Sequence, residues 1–442
     1  MESLIKIFVI VEHENRQKMN NLLFEIVSRQ KRVLENVLSK EYVPRTIFED
    51  AKKLAKDDLI KVITGPRRAG KSILSILLVK DVPFTFLNLD DESLLPVLSK
   101  MENYNDLLSV MEVVYGKTKV ILFDEIQNLE NWELFINRLH REGYNVFVTG
   151  SNAKLLSGEL ATHLTGRHYE IEVLPFNFKE YLHAKEIVAV EHLSKGELLN
   201  HAMNYMISGG YPEIVIKNLN SSLYLSTLFD STLLRDVIMR QKTRLSEKKL
   251  INISSYVINN FTGEFSYNSL KNFTGIKSVE TIQKYLKALG NSYIIFELNR
   301  FSNKAKERIK SPKKFYIVDN GFVLSKSVRF SSDYGKYMEN LVFSELLKRG
   351  LKPNSTLFYY KTKNNKEVDF ITRQDTKTSS LIQVCYDMEN LKTEEREIKA
   401  LLEASSELNC DDLLLITWDK ENVRNISGKK VKYVPIWKWL LV

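Results

Sequence analysis

The 442-residue chain is expected to fold as an α/β protein. Its core would be a P-loop NTPase domain with a parallel sheet, followed by a helical lid, a winged helix and a second α/β domain. Three observations carry the core assignment. Residues 65–72 read Gly65-Pro66-Arg67-Arg68-Ala69-Gly70-Lys71-Ser72, a G-x-x-x-x-G-K-S pattern set between the strand-like run Ile60–Thr64 and a helix-like run that opens at Ile73. The run 119–123, apolar after Lys119, ends in Asp124-Glu125. Strand-like runs at 60–64, 83–89, 119–124, 145–149 and 169–174 alternate with helix-like segments, the pattern of a parallel sheet covered on both faces.

Each part of the loop has a chemical purpose. Glycines let successive backbone N–H groups curl around an anion, and the helix N-terminus adds its positive end. Residues 65–73 are thus the expected phosphate cradle, with Lys71 reaching the β- and γ-phosphates and Ser72 binding Mg²⁺. ATP and Mg²⁺ are the ligands this implies. Asp124 would hold the metal's shell and Glu125 would polarise the attacking water. At the end of the next strand, Thr149, Ser151 or Asn152 could orient that water, or the segment is a simple turn. Arg167, before the fifth strand, has two readings. It is an arginine finger for a neighbour's γ-phosphate, which calls for a homo-oligomer or protein partner, or it is a surface ion-pair residue.

Along the chain, residues 4–11 (Leu-Ile-Lys-Ile-Phe-Val-Ile-Val) are read as a β-strand. The run is too short and interrupted for a membrane span, and neither a basic start nor a small-residue cleavage site marks a signal peptide. Residues 20–58 look helical, with Leu22, Leu23, Ile26 and Val27 on one stripe. The expected divisions are 1–44 (extension and helices), 45–177 (core), 178–230 (helical lid), 231–330 (winged helix) and 331–442 (C-terminal α/β domain). In the fourth division, helices around 266–271 and 278–286, the latter capped by Ser278, precede strands at 293–298 and 314–318. These flank the basic stretch 303–310, which completes a helix-turn-helix with a wing.

Charge is localised there. Residues 235–314 hold 17 Lys/Arg and 6 Asp/Glu, a net +11, against +9 for the whole chain. Duplex DNA is the natural partner for such a footprint; docking against other domains is the alternative. The two cysteines, Cys385 and Cys410, form no C-x-x-C pair, so neither a disulfide scaffold nor a zinc site is expected, and the chain reads as a protein of the reducing cytoplasm.

In the last division, a helix carrying Glu339 and Glu345 precedes a hairpin (357–360 and 367–371), a strand (380–385), a helix (392–408) and further strands. This order resembles the PD-(D/E)xK restriction-endonuclease-like fold. There a helix Glu, a strand Asp and an acid-x-Lys collect Mg²⁺ and steady the developing charge. Glu339 and Asp369 match. Gln383-Val384-Cys385 replaces the acid-x-Lys, and a thiol does not stand in for an ammonium, so the site is expected to be degenerate; Lys361 or Lys363 is the available substitute. An ATP-gated nuclease and a nucleotide-binding scaffold that recruits proteins are the alternatives to an ATPase that does not cut.

Taken together, the words GPRRAGKS, ILFDEIQNLENWE, VTGSNAKLLSGELATHLTGRHYEIEVLPFNFKEYL, SGGYPE, KEVDFI and LIQVCYD resemble the large family of bacterial and archaeal AAA+-type ATPases that carry a separate C-terminal domain. They span about residues 45 to 400. The resemblance implies an ATPase core, a lid with a Gly-Gly-x-Pro turn at Gly209, Gly210 and Pro212, similar to that of signalling ATPases that work as switches, then a winged helix and a nuclease-like C-terminal domain.

Overall fold

A computed structural model describes residues 2–99, 104–153, 164, 166–239, 246–327, 333–388 and 391–442. Within them the chain divides into two compact units, residues 1–173 and 174–442.

The first unit is built on five strands: β1 (Ile60–Thr64), β2 (Phe84–Asn88), β3 (Val120–Asp124), β4 (Asn145–Gly150) and β5 (His168–Glu172). All pair in parallel, in the order β2-β3-β4-β1-β5. The strands expected from the sequence are therefore present within a residue or two, and the 83–89 run does lie beside the strand ending in Asp124. Both faces are buried, which is why the strands read as continuous apolar runs. Val62, Phe123 and Val148 pack into one cluster and Ile63, Leu122 and Phe147 into the other.

The first helix, Glu2–Leu38, corrects the strand reading of residues 4–11. β-branched residues lower helix propensity only slightly, and that run continues into a helix anchored by tertiary packing. Leu23, Ile26 and Val27 are buried in the first cluster. Gln30 Nε2 donates to Asn88 O at 3.0 Å while its Oε1 accepts from Asn88 N–H at 2.8 Å, closing the end of β2. Arg16 makes a bidentate pair with Asp106 (3.1 and 2.7 Å). The helix is thus an integral layer of the sheet unit.

The second unit opens with helices Phe178–Ala184, Lys195–Ser208, Pro212–Lys217 and Ser221–Thr232. The Gly209-Gly210-Tyr211-Pro212 turn is held from far along the chain. Asp319 Oδ2 accepts from Gly210 N–H at 2.7 Å and its Oδ1 from Gly321 N–H at 2.9 Å. Gly209 has φ +80°, and a Cβ there would lie 1.7 Å from Asp319 Oδ1, so only glycine permits this approach.

Next come helices Glu247–Asn259, Tyr267–Thr274 and Val279–Asn291, with Ser278 capping the last through Thr281 N–H. Strands β6 (Glu264–Phe265), β7 (Ile295–Asn299) and β8 (Lys313–Ile317) form an antiparallel sheet in the order β6-β8-β7. The basic stretch expected as a wing contains a short helix, Ala305–Lys310, in keeping with its run of helix-forming Ala, Lys, Glu and Arg.

The chain ends in helix Tyr334–Lys348 and a six-stranded sheet: β9 (Leu357–Lys361), β10 (Glu367–Gln374), β11 (Lys377–Cys385), β12 (Leu413–Thr417), β13 (Asn422–Ile426) and β14 (Lys429–Pro435), in the order β13-β14-β12-β11-β10-β9. Helix Leu391–Leu408 lies between β11 and β12 in sequence. Asn340 stitches this part to β8: its Oδ1 accepts from Ile317 N–H at 2.8 Å and its Nδ2 donates to Ile317 O at 3.0 Å.

Candidate nucleotide site

Residues 65–70 turn from the C-terminal end of β1 into helix Lys71–Val79. Two glycines make the turn possible. Gly65 has φ +145°, and a Cβ there would come 2.0 Å from Val173 O; Gly70 caps the helix with φ +96°. Both conformations are closed to residues with a Cβ at ordinary cost. Lys71 is buried, and its Nζ donates to Pro66 O at 2.9 Å, so the ammonium folds over the loop it would share with phosphates. Arg45, which the sequence reading missed, donates from its guanidinium to Ala69 O at 2.9 Å. It lies 24 residues away from Ala69 in sequence, with no local motif to reveal it.

The acids sit at the C-terminal end of β3, with Thr149 on the neighbouring β4. Asp124 Oδ1 accepts from Ser72 Oγ at 2.9 Å and from the Thr149 hydroxyl. Thr149 Oγ1 also accepts from Glu125 N–H at 3.0 Å. Thr149 is fully buried, and its hydroxyl joins Asp124 to the backbone of Glu125. Glu125 stands in the left-handed region, φ +54°. Its Oε2 accepts from Ser151 Oγ at 3.2 Å and from Gln127 Nε2. Gln127 was missed in the sequence, although it lies only two residues on. Asn152 is half-buried beyond the end of β4.

The electrostatics suit a cation. Burial, and next the Glu125 charge, push the Asp124 carboxyl above its ordinary range; the Thr149 and Ser72 hydroxyls and the Lys71 ammonium act against them. A divalent ion beside Ser72 and Asp124 would remove that penalty, because it favours the ionised form. The donor set, one hydroxyl and one carboxylate that phosphate oxygens and water would complete, is the kind Mg²⁺ takes.

Arg167 is exposed, and its carbonyl accepts from Ile60 N–H. It therefore marks the N-terminal ends of β1 and β5, whereas the loop leaves the C-terminal end of β1. A five-residue strand separates those ends by roughly 16 Å at 3.3 Å per residue. Arg167 is out of reach of the phosphates in its own chain.

In the second unit, the three residues expected to form a degenerate nuclease site do converge. Asp369 on β10 faces Gln383 on β11, whose Oε1 accepts from Asp369 N–H at 3.3 Å. Glu339 approaches from helix Tyr334–Lys348. The cation among them is Lys314 of β8, which the sequence reading did not consider. It lies 2.9 Å from Glu339 Oε1 and 3.7 Å from Asp369 Oδ1. Of the candidates Lys361 and Lys363, Lys361 Nζ pairs with Glu264 (2.7 Å) and with Glu367 (3.7 Å) at the edge of this cluster, and the backbone N–H of Lys363 donates to Glu407.

A five-stranded parallel sheet with this loop after β1 and acids at the end of β3 is the core of a P-loop NTPase. Comparison with known families agrees. Residues 57–182 match the model described as an AAA domain, while residues 199–332 and 334–439 match two domains of unknown function, DUF8612 and DUF4143. An uncharacterised protein of Methanocaldococcus jannaschii is 39% identical over 402 residues, covering 86% of this chain and 88% of that protein. One from Haemophilus influenzae is 31% identical over 417 residues, covering 90% and 99%. Among solved structures, a Walker-type ATPase of Pyrococcus abyssi matches at 13% identity and a TM-score of 0.44, covering 64% of this chain and 95% of that one. The chain belongs to the family these full-length relatives define, an AAA+-type P-loop ATPase family. No described helix is long and apolar enough to cross a membrane.

Proposed function

We propose that the chain is a Mg²⁺-dependent ATPase. The observation that carries this is the joined set Ser72–Asp124–Thr149–Glu125 beside the loop of residues 65–73. Backbone N–H groups of the loop and Lys71 bind the phosphates. Ser72 and Asp124 would hold Mg²⁺, which would supply positive charge to offset that of the phosphates. Glu125 accepts a proton from the attacking water, with Ser151 and Gln127 fixing its carboxylate. Steady-state phosphate release tests the proposal: it should require Mg²⁺ and be lost in Asp124→Asn. Equal release in that variant removes Asp124 from the site.

Nucleotide state is proposed to reposition residues 174–442. Support comes from Val173, the last residue of the first unit, whose carbonyl lies against Gly65 of the loop. Small-angle scattering of the Glu125→Gln protein should differ between ATP and ADP; identical profiles reject the coupling.

Arg167 is proposed to act in trans, in a homo-oligomer. Mixing Arg167→Ala with Lys71→Ala protein should restore part of the activity, because one supplies the intact loop and the other the finger. No rescue, with turnover per chain independent of concentration, makes Arg167 a surface residue.

Residues 235–314 are proposed to contact duplex DNA as a winged helix. Lys284 and Lys287, three apart on helix Val279–Asn291, are both exposed, as are Lys304 and Lys306. Reversing Lys304, Lys306 and Arg308 to Glu should weaken binding to all sequences alike and flatten its salt dependence, the signature of phosphate contacts. No binding at low salt makes the segment a protein-docking module. The C-terminal domain is proposed to be a nuclease-like fold that does not cut; DNA cleavage abolished by Asp369→Ala contradicts this.

A further inference from the structure

The Lys314 side chain is 3% exposed. Its Nζ lies 2.6 Å from Glu367 Oε1 and 2.9 Å from Glu339 Oε1, with Asp369 Oδ1 at 3.7 Å. An ammonium offers three donors, and here three carboxylates from two elements surround it. Those acids are held in place by other groups. Tyr316 Oη donates to Glu339 Oε1 at 2.7 Å, Val384 N–H donates to Asp369 Oδ2 at 2.9 Å, and Gln383, opposite Asp369, donates to Glu397 Oε2 at 2.6 Å.

A Mg²⁺ ion shared by Glu339 and Asp369 would sit about 2.1 Å from an oxygen of each. That is the space Nζ fills, and two cations do not share it. The metal implied by a nuclease-like fold therefore does not fit this chain. We infer that Lys314 stands in for that metal: an internal ammonium, supplied by β8 of the three-stranded sheet, fills the cation position between Glu339 and Asp369 and ties that sheet to the six-stranded one. The inference is independent of the ATPase reading.

A lysine brings one positive charge where Mg²⁺ brings two. Lys361 adds a further charge nearby, shared between Glu264 at 2.7 Å and Glu367 at 3.7 Å.

The test uses the full chain without nucleotide, in four forms: wild type, Asp369→Asn, Lys314→Met, and the double variant. Bound Mn²⁺ is counted by electron paramagnetic resonance, and thermal unfolding is followed with and without Mn²⁺. Wild type and Asp369→Asn should bind the same amount of Mn²⁺. Lys314→Met should bind one more ion than the double variant, and its lowered Tm should rise with Mn²⁺. Three results overturn the inference. The first is an ion bound by wild type and lost in Asp369→Asn, which means lysine and metal coexist. The second is a Lys314→Met protein that folds yet gains no ion. The third is its failure to fold with and without Mn²⁺, which makes Lys314 a structural tie that no metal replaces.

Discussion

Glu125→Gln protein is expected to bind ATP as tightly as the wild type and to turn it over about 10²-fold more slowly or worse. The change keeps the shape of the side chain, so Ser151 and the β3–β4 connection retain their packing. Neither Asp124 nor the loop of residues 65–73 is touched, and binding should survive. What is lost is the negative charge that draws a proton from water. Steady-state phosphate release alongside a nucleotide titration separates the two effects. Wild-type turnover in the variant would show that another group is the base, and lost affinity would show that Glu125 serves binding.

Lys71→Ala should do the reverse and remove affinity itself. Lys71 is the buried cation of the loop, and its Nζ already accepts the loop's geometry by donating to Pro66 O at 2.9 Å. Phosphate oxygens would be a stronger partner than that carbonyl, because both groups are charged. A charged hydrogen bond contributes about 1.5–3 kcal/mol, so ATP affinity should fall roughly 10- to 100-fold. Unchanged affinity in a titration contradicts the loop's assignment. The Lys71→Ala protein should keep its fold, since the P-loop helix retains Leu74, Ile76 and Val79 in the core.

How much of this the sequence disclosed follows from the range of each interaction. The sheet core was legible because its signals are local: glycines at fixed spacing, apolar runs buried on both faces, an acidic pair at a strand end. Residues 4–11 misled because their β-branched composition favours a strand locally, while the packing of Leu23, Ile26 and Val27 on the sheet carries the whole segment as helix. The stretch 303–310 holds a short helix between β7 and β8, which its alanine, lysines and arginine favour locally but which the expectation of a wing did not specify.

The site divides in the same way. Ser72, Asp124 and Glu125 belong to short motifs. Thr149 was singled out by its place at a strand end, but its grip on two acids across neighbouring strands needed coordinates. Lys314 could not be read at all. It lies 25 residues before Glu339 in sequence, inside a strand assigned to another domain, and only tertiary packing brings it among the carboxylates. The Gly209-Gly210 turn was visible, whereas Asp319, which holds it from 109 residues beyond Gly210, was not.

The central claim is that the residue 65–73 loop and the Asp124-Glu125 pair form a Mg²⁺-ATP-hydrolysing centre. A single-turnover experiment tests it most directly, with labelled ATP mixed with excess wild-type protein in Mg²⁺ or in EDTA. The account predicts conversion to ADP and phosphate in Mg²⁺ alone, and ATP held intact when the same mixture is made with Glu125→Gln. Label bound by the wild type but recovered wholly as ATP in Mg²⁺ would contradict it, leaving a site that binds nucleotide without hydrolysing it.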